Sequence, residues 1–586
     1  PRRTGPGLDS DATMGGGEPA DDDAGSGGVI ADVRASFAAL VRAFRSPDLA
    51  KALVAYAAFS ISEWAAFIAL IVYAYEDGGG LMVGTVSLLQ LIPAALLAPV
   101  GAVLGDRHRR ERVLLLAHGT LAVAMGLAAV ALLTHAPAPL VYASGTAAGW
   151  TMVLIRPTHA SLLPRLAATP EELTSAFAAT GLLESICILV GPLLAGTLMG
   201  VAVGSVSGPG LVDAALAVSL AAGTFAVARI GVRTEPAHEG ETSLRAVAAE
   251  AGAGIRAVAR DHRPRLLVLT MGLTTVQLGF VDVLIVVLAF DVLRSGDAGV
   301  GFLNAAIGAG AVVGAALAAA VAVRWRSSRS FRWGISLSGL SIAGIAARPA
   351  LAWALLASGG IGGTLADVNG RVMLQRLIPD KQLSRAFGVL ESLYMAGEGV
   401  GSFVAAVLVT TIGPQWTLLV GGSLLPLTAV LAHRGLRTLD VGVRVPQEEI
   451  ALLRGTRIFA PLPAAMLERL ARNLVPVHVP TGAVVIHQGD HGDRFFVIVE
   501  GEVAVTADGH PVGALGRGGT FGEIALLRDV PRTATVTATT DVRLLALDRD
   551  EFLRAVTGHE PAGRAVEAQA TERLDELERT RDEAGG

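Results

Sequence analysis

Residues 521 to 538 read FGEIALLRDVPRTATVTA and combine residue types suited to gripping an anion. Phe521-Gly522-Glu523 open a short helix, and a helix N-terminus presents unpaired N–H groups and the positive end of a dipole. Gly522 lets the backbone approach a ligand closely. Arg532 supplies a planar guanidinium able to hold a phosphate through paired hydrogen bonds, and Pro531 stiffens its approach.

A second set of chemically capable residues lies inside long apolar runs: Glu63, Arg156, Glu184, Asp282, Asp367, Arg371, Glu391 and Glu398. A charge at the centre of a bilayer costs about 2.5–3.5 kcal/mol on insertion scales, so its persistence asks for a reason. A desolvated carboxylate can be neutralised by a proton, and Glu63, Glu184 and Asp282 are candidates to bind and release one as a cavity opens to each side. The competing reading is static pairing, for example Arg156 with Glu184 or Asp367 with Arg371. His159 reads as a packed polar residue, and Glu76, Asp77 and Asp291 as solvated helix-end residues.

The elements that position these groups follow from composition and periodicity. The chain has 586 residues, 52% hydrophobic and only 17% charged, so most of it belongs in lipid. Aromatics are 5%, leaving Ala, Leu, Val and Gly, small residues that suit close helix contacts in a bilayer; a codon bias would give the same trend. Cys187 is the single cysteine, which excludes an internal disulfide and a multi-cysteine metal site; no metal or cofactor is expected. The net charge of −5 gives no argument for nucleic acid. Residues 1 to 33 are rich in Gly, Asp and Pro and read as a disordered tail.

Apolar stretches of about twenty residues can each span a bilayer core as a helix. They fall near 49–75, 81–105, 111–134, 138–163, 172–200 and 209–230, then near 265–293, 299–325, 331–348, 350–377, 384–412 and 415–434. The expectation is a multi-pass α-helical membrane protein of twelve helices in two six-helix halves, 34–230 and 264–435, joined by a loop at 231–263 that carries an amphipathic stretch, Leu244 to Arg260. Basic residues cluster in alternate connections: Arg34, Arg42, Arg45 and Lys51; Arg107, Arg109, Arg110 and Arg112; Arg324, Arg326, Arg329 and Arg332; and the central loop. The connections EDGGG at 76–80 and HAPAP at 135–139 are nearly free of them, which predicts cytoplasmic termini in a bacterial inner membrane.

The halves echo one another, as in a duplicated transporter. Glu63, an apolar run, a Gly-rich turn and Val83-Gly84 parallel Asp282, an apolar run, RSGDAG and Val300-Gly301; Arg165-Leu166 before Ala176-Phe177 parallels Arg376-Leu377 before Ala386-Phe387. The turn AVLGDRHRRER, Ala102 to Arg112, matches a family motif at Asp106, Arg107 and Arg110, with Ala102 and Arg109 where glycines are usual. On these residues the region 40–437 resembles the major facilitator superfamily. The resemblance implies that the Asp of the motif makes charged contacts that hold the cytoplasmic side closed in one state; a plain stop-transfer charge cluster is the alternative. VGPLLAG at 190–196 is similar to a signature of the family's exporters, or is simply close packing, and RPTHASLLPRL at 156–166 is similar to the enterobactin- and macrolide-exporter branch.

From about 441 charges and short alternating strands replace the apolar spans. Residues 436–447 read as a linker and 448–586 as a soluble α+β domain: a helix over 448–474, a small β-roll with turns at Gly482, Gly489, Gly492, Gly501 and Gly509, and a last helix with an apolar stripe of Val566, Ala570, Leu574 and Leu577. This order, with the cassette at 521–538, resembles the cyclic-nucleotide-binding domain. The resemblance implies that Glu523 accepts a ribose 2′-hydroxyl, that the N–H groups of Ile524 and Ala525 join Arg532 at a cyclic phosphate, and that Thr533 adds a hydroxyl. Thr533 also occurs in relatives of either base preference, with cAMP the expected ligand ahead of cGMP. The stripe either caps the purine or packs against the β-roll or a second subunit. The chain ends at Gly586, so no helix-turn-helix is expected.

The function these features predict is a secondary transporter of small molecules, a proton-driven exporter regulated by cyclic nucleotide, with lipid, protons and nucleotide as partners. The rival is a membrane-anchored nucleotide sensor whose transporter-like body binds a ligand without moving it. No arrangement of nucleophile and base points to an enzyme.

Overall fold

A computed structural model describes residues 41, 43–167, 169–202, 204, 206–231, 252, 254–256, 258–322, 327–378, 380–439, 447–462, 464–557 and 560–585. The chain divides into two compact units at Val441 and Gly442. The disordered tail expected over 1–33, most of the amphipathic stretch 244–260 and linker residues 440–446 lie outside the described residues.

The first unit is helical. It comprises α1 Pro47–Arg107, α2 Arg110–Leu133, α3 Ala138–Met152, α4 Ile155–Leu166, α5 Pro170–Gly200, α6 Gly208–Ala228, α7 His262–Val287, α8 Gly296–Ala322, α9 Ser327–Ala347, α10 Ala352–Leu377, α11 Asp380–Ile412, α12 Pro414–Leu431 and the short α13 His433–Thr438. α1 is two helices in one run, broken where Gly78 and Gly79 leave helical geometry, with Gly79 at φ +65°. A side chain is rarely found at that φ, which is why the EDGGG segment can turn here. Pro157 has no N–H to give to the preceding turn, and the backbone accordingly breaks between α3 and α4 just before Arg156. α7 runs on into a π-helical turn, Leu288–Val292.

Ten segments among the described residues are long and apolar enough to cross a membrane, the first of them, Pro47–Ala98, containing the break at Gly78 and Gly79. α9 is not one of the ten, and it opens on the polar sequence SSRSFRW. The fold is thus multi-pass and helical with ten or more apolar crossings. Close contacts between the halves are made by glycines. A Cβ at Gly84 of α1 would lie 2.7 Å from the Ser402 carbonyl of α11, and one at Gly308 of α8 would lie 2.6 Å from the Ile188 carbonyl of α5. Backbones approach this closely only where side chains are absent. The VGPLLAG segment belongs to this interface, since a Cβ at Gly196 would lie 2.9 Å from the Ala298 carbonyl. At the end of the central loop, Val258 is buried with Ala386 and Leu390 of α11.

The second unit begins with α14 Gln447–Gly455 and α15 Ala464–Asn473. The single helix expected over 448–474 is therefore two, because Gly455 and Pro461 interrupt it. Strands β1 Val475–Val479, β2 Val484–Ile486, β3 Arg494–Glu500, β4 Val503–Ala507, β5 His510–Leu515, β6 Thr520–Phe521, β7 Thr535–Ala538 and β8 Val542–Asp548 follow, with α16 Glu523–Arg528 between β6 and β7. They form two antiparallel four-stranded sheets, ordered β1-β8-β3-β6 and β2-β7-β4-β5. α17 Arg549–Thr557 and α18 Glu560–Gly585 close the chain.

Phe459, Phe495 and Phe552 are fully buried where the helices meet the first sheet, with Phe495 and Phe552 stacked at 4.7 Å. Phe495→Ala is expected to cost the second unit about 3–5 kcal/mol. Hydrogen exchange of β3 peptides in the full chain, followed against urea, measures this, with the peptides of α7 as an unchanged internal reference.

Candidate functional site

The cassette forms around Gly522, which sits at φ +92° between β6 and the first turn of α16. Left-handed backbone there aims the N–H groups of the next residues out of the turn, and the first N–H groups of a helix have no intrahelical acceptor. Ile524 and Ala525 are buried at that position, and Thr533 is half-buried. Arg532 is locked by its own backbone, whose N–H donates to Asp490 O at 2.8 Å and whose carbonyl accepts from Gly489 N at 2.9 Å. Its guanidinium is 5% exposed and donates to Gly522 O at 3.0 Å and Arg494 O at 2.7 Å, with Asp493 at 3.6 Å. Burial pushes the Arg532 pKa down, while Asp493, Glu523 and Asp490 pull it back up.

Glycine is required on both sides of this guanidinium. A Cβ at Gly522 would lie 2.6 Å from Arg532 Nη1, and one at Gly492 would lie 2.8 Å from the Ala525 Cβ. Three segments, those of Gly492, of Gly522 with Ala525, and of Arg532, are thus folded onto one point.

Glu523 is fully buried. Its Oε1 accepts from Arg573 Nη1 of α18 at 2.5 Å, and its Oε2 has no hydrogen-bond partner among the described residues. A buried acceptor in that condition is completed by a hydroxyl or N–H donor. α18 makes two further polar contacts with this region: Gln569 Nε2 donates to Thr520 Oγ1 at 2.9 Å, and Arg528 pairs with Glu567 at 2.9 Å. Val566 and Ala570 are fully buried, Leu577 nearly so and Leu574 partly; Val566 packs in the core with Phe459 and Phe552. Sequence reasoning finds this stripe and misses Gln569 and Arg573. Both flank the stripe at helical spacing, which was the available signal.

In the helical unit the ionisable residues gather into three groups. Arg156 bonds Glu63 at 2.5 Å and pairs with Glu184, and it lies 5.8 Å over the Phe59 ring with the Tyr56 hydroxyl at 3.4 Å. Arg371 donates from Nε to Asp367 at 2.9 Å and from Nη1 to Glu391 at 2.9 Å, while Tyr394 donates to Asp367 at 2.9 Å. Asp282, buried, accepts from Ser402 at 3.3 Å, and Ser402 lies one turn beyond Glu398 on α11 and also meets the Glu398 carbonyl at 3.0 Å.

Tyr56 and Tyr394 are not singled out by sequence reasoning, nor is Asp213, a buried carboxyl in α6. His159 is buried and stacked on Tyr56 at 4.4 Å. Asp77 and Asp291 accept from Tyr142 and Tyr75, each at 2.8 Å. Of the motif residues Asp106, Arg107 and Arg110, the first two have side chains outside the described residues, and Arg110 is buried at the start of α2.

A family model described as Major Facilitator Superfamily matches residues 52–346, and one described as Cyclic nucleotide-binding domain matches residues 476–559. A cyclic nucleotide-gated potassium channel of Rhizobium etli is 46% identical over 101 residues, which is 17% of this chain and 28% of the channel. The chain therefore spans less than a third of the length of that curated relative. Among solved structures, the regulatory domain of Toxoplasma gondii PKA with cAMP is 23% identical, covering 24% of this chain and 55% of that one at a TM-score of 0.22. The Thermus thermophilus Catabolite Activator Protein is 26% identical, covering 22% of this chain and 63% of that one at a TM-score of 0.20.

Because Arg573 answers a buried carboxylate, Arg573→Met is expected to destabilise the second unit by about 1–3 kcal/mol. Adding Glu523→Gln is expected to recover part of that loss. Denaturant unfolding of the two single variants and the double variant gives the coupling directly.

Proposed function

The chain belongs to the Major Facilitator Superfamily and carries a cyclic nucleotide-binding domain, and on that footing we propose that it moves small molecules across a membrane under cyclic-nucleotide control. Neither family is a family of enzymes. The observation that carries the regulatory part is the cassette itself. Among the described residues Arg532 is buried, directed at the Gly522 turn and satisfied by carbonyls and the exposed Asp493, and Glu523 keeps one buried oxygen without a donor. A cyclic phosphate replaces carbonyl contacts of Arg532 by a charge-assisted pair, with the Ile524 and Ala525 N–H groups and the Thr533 hydroxyl beside it. A ribose hydroxyl donates to Glu523 Oε2. In this reading the base is adenine ahead of guanine, and Leu574, the partly exposed member of the α18 stripe, lies against it.

For transport, the reading assigns the proton to Asp282 with Glu398, because Asp282 is a buried carboxyl inside an apolar helix and Ser402, one turn beyond Glu398, is its hydrogen-bond donor. Arg156 with Glu63 and Glu184, and Arg371 with Asp367 and Glu391, then serve as charged substrate contacts whose pairing changes as the halves move. The direction in this reading is export, supported by the VGPLLAG packing against α8, and Asp106, Arg107 and Arg110 hold the cytoplasmic gate. In this reading the membrane is a bacterial inner membrane with both termini and the nucleotide domain on the cytoplasmic side, an orientation that the arginine distribution supports.

The experiment is flux by purified full-length protein in proteoliposomes, with a metabolite and drug panel, a set pH gradient, and cAMP or cGMP on the domain side. Flux is expected to follow the gradient, to fall at least tenfold in Asp282→Asn, and to change about 5- to 150-fold in substrate affinity on adding nucleotide. Arg532→Ala is expected to abolish nucleotide binding and that response while leaving basal flux unchanged. Ligand binding without flux for every compound would instead support a sensor, and an undiminished nucleotide response in Arg532→Ala would remove the regulatory reading.

A further inference from the structure

A small cavity inside the N-terminal half lies apart from the Arg371 and Asp282 groups, with room for a water-sized occupant. Its lining is apolar except at four side chains: Glu63 and Tyr73 from the first stretch of α1, Gln90 from its second, and Asp213 from α6; α2 and α3 contribute apolar residues and glycines. Asp213 is 6% exposed and Gln90 8% exposed. Asp213 Oδ1 and Gln90 Oε1 are both buried oxygens without a hydrogen-bond partner among the described residues. Gln90 is held in place by Gly149, where a Cβ would overlap its side chain.

Two acceptors facing one cavity do not satisfy each other. A carboxylate enclosed by apolar side chains must take up positive charge or be stranded. We propose that Asp213 and Gln90 form a binding site for a monovalent cation, H⁺ or Na⁺. A proton on Asp213 turns it into a donor for the Gln90 oxygen; a sodium ion is instead ligated by both oxygens. Glu63 is a wall of this cavity and also the carboxylate that bonds Arg156 at 2.5 Å. The cavity and the Arg156 group therefore share one residue, Glu63, which is the route by which the site couples to that group. That coupling rests on the reading that the Arg156 group takes part in transport; the cation site itself does not.

The test uses full-length protein in nanodiscs. Infrared difference spectra across a pH titration report the protonated carboxyl of Asp213, and thermal unfolding against Na⁺, at constant ionic strength with choline, reports sodium. A carboxyl band lost in Asp213→Asn, or a sodium-dependent stabilisation lost in that variant, supports the site and says which ion fills it. Gln90→Leu is expected to weaken the response roughly 10- to 100-fold while the carboxyl remains, which keeps the test open if Asp213→Asn fails to fold. Monodisperse elution of each variant and a cooperative thermal transition of the helical unit in the absence of added Na⁺ serve as the check on folding. Wild type, Asp213→Asn and Gln90→Leu responding alike to pH and to Na⁺ would overturn the inference. If the cation signature follows Asp213 while Glu63→Gln leaves flux unchanged, the transport role of the Arg156 group fails and the cation site stands.

Discussion

Charge held away from water has to be answered where it lies, and that requirement shapes both units of this chain. Breaking a fully buried pair by removing one partner costs about 3–5 kcal/mol, and less where the pair is partly exposed, as the Arg156 and Arg371 groups are. Arg156 is therefore fixed between Glu63 and Glu184, Arg371 between Asp367 and Glu391, and Asp282 against Glu398 and Ser402. The same rule operates in the β-roll, where Glu523 is answered on one oxygen by Arg573. Arg532 differs. Its guanidinium is satisfied as a donor by main-chain carbonyls, and the carboxylate nearest to it among the described residues, Asp493, is exposed and 3.6 Å away. A group hydrogen-bonded yet poorly neutralised is prepared for an anion.

In the helical unit the arrangement repeats. Each half has an arginine bonded to two carboxylates with a tyrosine alongside, Tyr56 in one and Tyr394 in the other. Arg156 and Glu184 lie on α4 and α5, Arg371 and Glu391 on α10 and α11, at comparable places in the two halves. Each of the three charged groups is contained within one half. Between halves, close approach falls to glycines such as Gly84 and Gly308, with the Tyr75–Asp291 hydrogen bond added. Surfaces built from bare backbone can part without stranding a charge. Halves that move against each other need that property, and the placement of glycine supplies it.

What the sequence made legible is what local chemistry dictates. The β-roll turns and the Gly522 cap depend on neighbouring residue types, and the apolar spans depend on length and composition. The break of the 448–474 helix was also local, carried by Gly455 and Pro461, and periodicity outweighed it. The rest lies in tertiary partners. Arg573 meets Glu523 across fifty residues, and neither residue announces the other. Gln90 and Asp213 share a cavity although they belong to the second and sixth apolar runs. Tyr56 is indistinguishable from any other aromatic in a helix until Arg156 is placed beside it. The grouping of eight ionisable residues within the apolar runs into three clusters needed coordinates, because pairing energies of similar size permit several combinations.

A ligand shifts a conformational equilibrium only through contacts that differ between the states. Under the proposed reading, the differing contacts lie along α18. Glu567, Gln569 and Arg573 attach that helix to Arg528, Thr520 and Glu523, within or beside the cassette. A hydroxyl that takes Glu523 Oε2 leaves Arg573 in place, whereas one that takes Oε1 releases it. In either case the charge felt by Arg573 changes, because the carboxylate now serves a second donor and an anion lies nearby. A hydrogen bond to a charged group contributes about 1.5–3 kcal/mol, and allosteric couplings run to about 1–3 kcal/mol. Under that reading, the energy of the Arg573–Glu523 contact is of the size that an allosteric coupling needs.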